Sequence, residues 1–169
     1  MHSERYTKFI SRLKTKDLIP LDGAIGTELQ KRGVKMDGSW CGSASLHQDI
    51  LKKVHIDYIN AGSKIITTNT YASSRIMLKA AGMEKRFEEI NLKAINSALS
   101  ARKETNKNDV LIAGSISHRY PIADGDILSQ AVVNVSKNEL QDSTYEMLHL
   151  LSNNGCLLYT SDAADERHC

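Results

Sequence analysis

Cysteine is scarce in this 169-residue chain: Cys41, Cys156 and Cys169 stand far apart, with no C-x-x-C spacing. That pattern argues against a structural zinc site and against a disulfide framework, and it fits unpaired thiols in a reducing compartment. Long apolar runs are absent as well. None approaches the ~18 residues of a membrane span, and Met1-His2-Ser3-Glu4-Arg5-Tyr6 lacks the apolar core of a signal peptide. The expected location is therefore cytoplasmic, with no membrane partner. An excess of one charge is missing too. The net charge is +2 and basic residues alternate with acidic ones, as in Lys85-Arg86-Phe87-Glu88-Glu89, so no nucleic-acid partner is expected. No tight hairpin signal joins two candidate strands. The turn Gly23-Ala24-Ile25-Gly26 lacks the G-x-G-x-x-G pattern, and no Gly-Lys-Ser/Thr follows, which weakens a nucleotide- or phosphate-binding reading.

What is present is an alternation of strand and helix. A hydrophobic share of 41% and a charged share of 25% suit one soluble globular domain. An apolar segment, Leu18-Ile19-Pro20-Leu21, reads as a first strand. Residues 45–60 read as a helix, with Ser45 and Gln48 at capping-box spacing and Leu46, Ile50, Leu51, Val54, Tyr58 and Ile59 on one face. Gly62 suits its left-handed cap. Ile65-Ile66-Thr67-Thr68 reads as a buried strand. A short helical turn over 74–81 and a helix over 84–103 follow, the latter with Phe87, Ile90, Ala94, Ala98 and Ala101 on one side. Val110-Leu111-Ile112-Ala113 is the next strand. Ser136 and Glu139 repeat the capping-box spacing before a last amphipathic helix that ends near Asn154-Gly155. Helices between all the strands imply a parallel sheet with right-handed crossovers.

In parallel α/β folds ligands gather at the carboxyl ends of strands. Three polar clusters fall there: Asp22-Gly23-Ala24, Thr68-Asn69-Thr70, and Ser115 to His118. The first is the most informative. A carboxylate beside two glycines, at the change from strand to helix, aims one anion and several backbone N–H groups at a common point. Such a turn can grip a small zwitterion, the carboxylate taking an ammonium group and the N–H groups a carboxylate. Plainer readings stand beside this one. Asp22 also suits an ordinary turn, Thr67, Thr68 and Thr70 suit an ordinary strand, and Tyr71 suits either packing or ligand contact. His118 with Arg119 reads as a solvated loop pair. His47 and His55 read as surface or flank residues, and Cys41 as a lone thiol.

These residues carry a resemblance to the homocysteine S-methyltransferase family. The matching stretches are Leu21-Asp22-Gly23-Ala24-Ile25-Gly26-Thr27, residues 46–62 with His55 and Tyr58, Ile66-Thr67-Thr68-Asn69-Thr70-Tyr71-Ala72-Ser73, and Ala113-Gly114-Ser115-Ile116. Together they cover about residues 16–155. The resemblance implies an α/β fold: a partial (β/α)8 TIM barrel, about the first three strand–helix units. It implies methyl transfer from a donor to the thiol of homocysteine, with a zinc ion held by three cysteines that makes the thiolate. It implies that Asp22 holds the homocysteine ammonium group, that the N–H groups of Gly23 and Ala24 face its carboxylate, and that Thr68 lines the same pocket. Trp40 falls in the loop where relatives place an aromatic residue near the donor, although Ser39-Trp40-Cys41-Gly42 departs from the usual surroundings.

The resemblance also implies what this chain does not carry. The family's zinc cysteines come at the ends of the sixth and eighth strands, so no metal ligand and no catalytic residue is assigned here. Residues 1–155 read as the N-terminal part of a homocysteine-binding barrel domain. Residues 156–169 read as a non-native tail, a translated adapter read-through. The chain alone is expected to be poorly stable and inactive, with a non-catalytic fragment or a small-molecule-binding α/β domain as the alternative. The methyl donor and the oligomeric state stay open.

Overall fold

The computed structural model describes residues 4–15, 17–35, 42–117, 135–156 and 158–161. The elements are α1 (Glu4–Lys14), α2 (Ile25–Lys31), a 3-10 turn (Ser43–Leu46), α3 (Gln48–Asn60), β1 (Ile65–Thr67), α4 (Arg75–Ala80), a second 3-10 turn (Glu84–Arg86), α5 (Phe87–Glu104), β2 (Leu111–Ile116), α6 (Lys137–Asn153) and β3 (Leu158–Ser161). The strands form one sheet in the order β1-β2-β3, and both pairings are parallel. Ile65 lies opposite Leu111 and Thr67 opposite Ala113. β3 falls within the stretch read from the sequence as a tail.

The two faces of the sheet separate by strand alternation. Ile66 and Ile112 turn toward the helices, into a core with Ile59, Leu78, Phe87, Ile90, Ile95, Met147 and Leu151. Ile65, Leu111 and Ala113 occupy the opposite face, covered by Phe9 of α1 and by Ile19. α3 and α5 pack side by side as the main helical layer. All five residues expected on the inner side of α5 are buried: Phe87, Ile90, Ala94, Ala98 and Ala101. Burying side chains of this size contributes roughly 1.5–3 kcal/mol apiece for the larger ones.

Several boundaries differ from the sequence reading, each for a physical reason. The first strand shrinks to a single parallel bridge, Leu21 to Ile65. Only β1 flanks it. Its bonds are Lys64 N–H to Pro20 O at 2.8 Å and Asp22 N–H to Ile65 O at 3.1 Å, and Pro20 has no N–H to add. Leu18 and Leu21 are exposed rather than buried. The α3 capping box does not form. Ser45 is buried and its hydroxyl donates to Asn69 O at 3.2 Å, so α3 begins later, after His47, with no side-chain cap. The capping box before α6 does form, with Ser136 and Glu139 bonding each other's backbone. β2 runs on through Gly114 and Ser115 to Ile116, since β3 offers it a second ladder partner.

Glycine is needed at one point of this packing. A Cβ on Gly114 would lie 2.8 Å from Leu151 Cδ1, and Leu151 is fully buried, with little room to retreat. Gly114→Ala is expected to destabilise the chain by about 1–3 kcal/mol through overpacking, read as a lower midpoint in chemical denaturation.

Candidate functional site

The end of the Leu21 bridge, the end of β1 and the turn that leaves β1 meet at the carboxyl edge of the sheet. Asp22 sits on the first. Thr67, the last residue of β1, donates to it twice: its N–H to Oδ2 at 2.7 Å and its hydroxyl to Oδ1 at 2.9 Å. Burial pushes the Asp22 carboxyl above its ordinary value, and the two Thr67 hydrogen bonds oppose that rise. A carboxylate offers about four acceptor positions, so two remain for a ligand. Gly23 and Ala24 follow at once, and among the described residues neither backbone N–H donates to another backbone group.

Tyr58 of α3 holds this turn from behind. Its hydroxyl donates to Ala24 O at 3.1 Å. A Cβ on residue 23 would stand 2.9 Å from that oxygen and 3.2 Å from the ring. Gly23 therefore suits the close approach of the Tyr58 ring and has no unusual backbone angle.

Thr68 is buried and its hydroxyl lies 2.8 Å from Thr70 Oγ1. Thr70 Oγ1 donates to Ser115 O at 2.7 Å and accepts from Ser115 N–H at 3.1 Å. Thr70 has one hydroxyl proton, spent on Ser115, so Thr68 is the donor in the bond between the two threonines. The rest of the turn is anchored just as fully. Asn69 Nδ2 donates to Ser45 Oγ at 3.1 Å. Ser73 Oγ donates to Asn91 Oδ1 at 2.6 Å, and Asn91 Nδ2 donates to Ser73 O at 2.9 Å and to Phe87 O at 2.8 Å. Buried polar groups paired this completely fix a single geometry.

Of the residues singled out from sequence, Asp22, Gly23, Ala24 and Thr68 share this edge. Trp40 lies outside the described residues, as do Cys41, Cys169, His118 and Arg119. Thr67, Tyr58, Thr70, Asn91 and Ser115 complete the arrangement. Asn91 gave a usable signal: it falls one turn after Phe87 on the apolar side of α5, a polar residue in a core position. A cavity of about 630 Å³, lined by Phe9, Ile19, Lys64 and Leu111 among others, lies at the opposite end of the strands.

His47 is exposed as expected, but His55 is not a surface or flank residue. It is fully buried on α3, and neither ring nitrogen has a hydrogen-bond partner among the described residues. Burial alone lowers its pKa from 6.5 to about 4.

Among the described residues no group of three or more His, Cys, Asp or Glu side chains comes together to hold a metal. Cys156 is buried, and burial pushes its thiol up to about 12, away from the thiolate that a metal needs. Nor is any helix among the described residues long and apolar enough to cross a membrane.

Comparison with known proteins gives this edge its context. The family described as Homocysteine S-methyltransferase matches residues 19–161. An S-methylmethionine–homocysteine S-methyltransferase of Pongo abelii is 31% identical over 108 residues, which is 63% of this chain and 28% of that protein. The homocysteine S-methyltransferase of Escherichia coli K12 is 28% identical over 122 residues, 67% of this chain and 39% of that one. The crystal structure of the metallated homocysteine methyltransferase MmuM from Escherichia coli superposes with a TM-score of 0.69 at 26% identity, covering 88% of this chain and 55% of the other. The chain belongs to the homocysteine S-methyltransferase family. It spans well under half the length of these curated relatives.

The buried imidazole sets a pH dependence of stability. The folded state holds His55 neutral down to about pH 4, whereas the unfolded chain takes up a proton near 6.5. Between those values the unfolded state binds more protons, so stability is full above about pH 6.5 and falls as pH drops toward 4, by roughly 3 kcal/mol in all. His55→Leu is expected to flatten that slope, and to be neutral or stabilising at pH 7 because it removes unpaired buried polar atoms. Denaturation midpoints from pH 4 to 7.5 check it.

Proposed function

We propose that this chain carries the amino-acid grip of a methyltransferase that acts on homocysteine. Asp22 takes the ammonium group with the acceptor positions that Thr67 leaves open. The N–H groups of Gly23 and Ala24 face the ligand carboxylate. Thr68 stiffens the adjoining wall through Thr70, and the family resemblance assigns Trp40, outside the described residues, to the donor side. These residues position the ligand and move no proton: their contribution is orientation, holding the thiol where an activated methyl group can meet it. We read the three parallel strands and their helices as the opening units of a (β/α)8 barrel, with the grip at its carboxyl-terminal rim, in a cytoplasmic protein.

One observation carries this reading: a doubly hydrogen-bonded carboxylate stands next to two N–H groups that make no backbone bond among the described residues. An anion and adjacent donors are what a zwitterion needs.

The family likeness implies zinc, and zinc supplies a thiolate at neutral pH. The described residues of this chain do not fit that ion, so no step is routed through it. Chemistry on the thiol therefore depends on residues that these elements do not supply. The reading for this chain in isolation is binding without turnover.

Calorimetric titration with L-homocysteine tests the grip. The expected result is saturable binding that Asp22→Asn weakens about 10- to 100-fold, the scale of one hydrogen bond between charged partners. Equal affinity in both proteins overturns the assignment. Methyl transfer to homocysteine, assayed with added zinc and S-methylmethionine, is expected to stay at background. Turnover there overturns the reading of binding alone.

A further inference from the structure

We propose that Thr67 is the positioning residue of the amino-acid grip: it aims the Asp22 carboxylate and keeps it ionised, and it decides that the ligand's ammonium end docks there. This rests on the reading of Asp22 given above.

The argument begins with the two bonds. They come from one residue to two different oxygens, at 2.7 Å and 2.9 Å. One donor would let the carboxyl group swing about its bond, whereas two donors from a single strand residue fix its plane. Thr67 is the last residue of β1, in parallel register with Ala113, so the clamp is mounted on the sheet and not on a loop.

Charge follows from the same contacts. A half-buried carboxylate favours its neutral form unless donors or cations face it. From α3 the titratable group near Asp22 is Tyr58, whose proton goes to Ala24 O. α2 carries Glu28, which is paired with Lys31 and Arg32. β1 is preceded by Lys64, which is paired with Asp109 at the far end of the strand. β2 carries no ionisable residue. Among the described residues no cation is paired with Asp22, and the two Thr67 donors are the foremost contacts that favour its ionised form against burial.

Polarity decides the orientation. Thr67 spends its hydroxyl proton on Asp22, so the oxygen left facing a ligand can only accept. Asp22 and Thr67 therefore present acceptors alone. They accept an ammonium group and repel a carboxylate, and the carboxylate end of the ligand is left to Gly23 and Ala24. The ligand class is an α-amino acid held ammonium-first at Asp22. A des-amino thiol acid, with the same thiol and carboxylate, lacks the group that this clamp recognises.

Thr67→Val removes the hydroxyl while keeping shape, backbone N–H and strand preference. Thr67→Ser restores the hydroxyl. In NMR titrations of the 169-residue chain between about pH 3 and 8, the Thr67 amide proton is expected to move with the same midpoint as the Asp22 carboxyl carbon. In Thr67→Val that midpoint rises by about one pH unit, the size of one lost hydrogen bond to a charged group, and Thr67→Ser returns it. The acid limb of homocysteine binding shifts by the same step, and 4-mercaptobutyrate binds at least about tenfold more weakly than homocysteine to the unmodified chain.

An Asp22 midpoint unchanged in Thr67→Val overturns the proposal, as does equal binding of 4-mercaptobutyrate. If Thr67→Val does not fold, the unmodified chain decides: a Thr67 amide that ignores the Asp22 titration overturns the clamp. A chain that binds no homocysteine while the amide and carboxyl titrate together refutes the functional reading and leaves the clamp standing.

Discussion

A single hydroxyl, Thr70 Oγ1, joins the exits of two strands. It bonds both backbone polar groups of Ser115 on β2 and receives the proton of Thr68. Without it the turn after β1 would lose its tie to the sheet, and two backbone groups of Ser115 would lack that partner. The edge that presents Asp22 and Thr67 depends on this tie, because a ligand-facing carboxylate is only as well placed as the strand end beneath it. Ser45 and Asn91 extend the same anchoring into α5 and the turn before α3. The grip is thus built outward from a hydrogen-bonded polar turn, which favours a fixed arrangement over an adaptable one.

Much of this was legible in the chain because the relevant signals were periodic or local. The inner side of α5 follows directly from Phe87, Ile90, Ala94, Ala98 and Ala101. The Ser136–Glu139 capping box and the left-handed Gly62, at φ 109°, follow from short motifs whose chemistry is self-contained. The parallel sheet follows from helices lying between the strands. Asp22-Gly23-Ala24 stood out because a carboxylate and backbone N–H groups fall together at a strand end, although an ordinary turn would use the same residue types.

What escaped the sequence depended on partners distant along the chain. Ser45 looked like a helix cap, but Asn69 claims its hydroxyl, and no local pattern announces that pairing. The choice among Thr67, Thr68 and Thr70 hinged on which side of a short strand each occupies. Thr67 faces Asp22, while Thr68 is tied inward. His55 looked like a polar residue on an amphipathic helix, yet the close packing of α3 and α5 leaves it no solvent. Leu18 and Leu21 looked like part of an apolar first strand, yet with β1 as the one paired neighbour among the described residues they are exposed. In each case tertiary context overrode a sound local expectation.

At Gly114 helix α6 packs close against the sheet, with Leu151 filling the space that a methyl group would need. The two positions share one volume. A lineage that gains a side chain at 114 must lose bulk at 151 or let the helix drift outward. Among relatives of this chain, these two positions should drift in tandem, a small residue at one answering a large residue at the other.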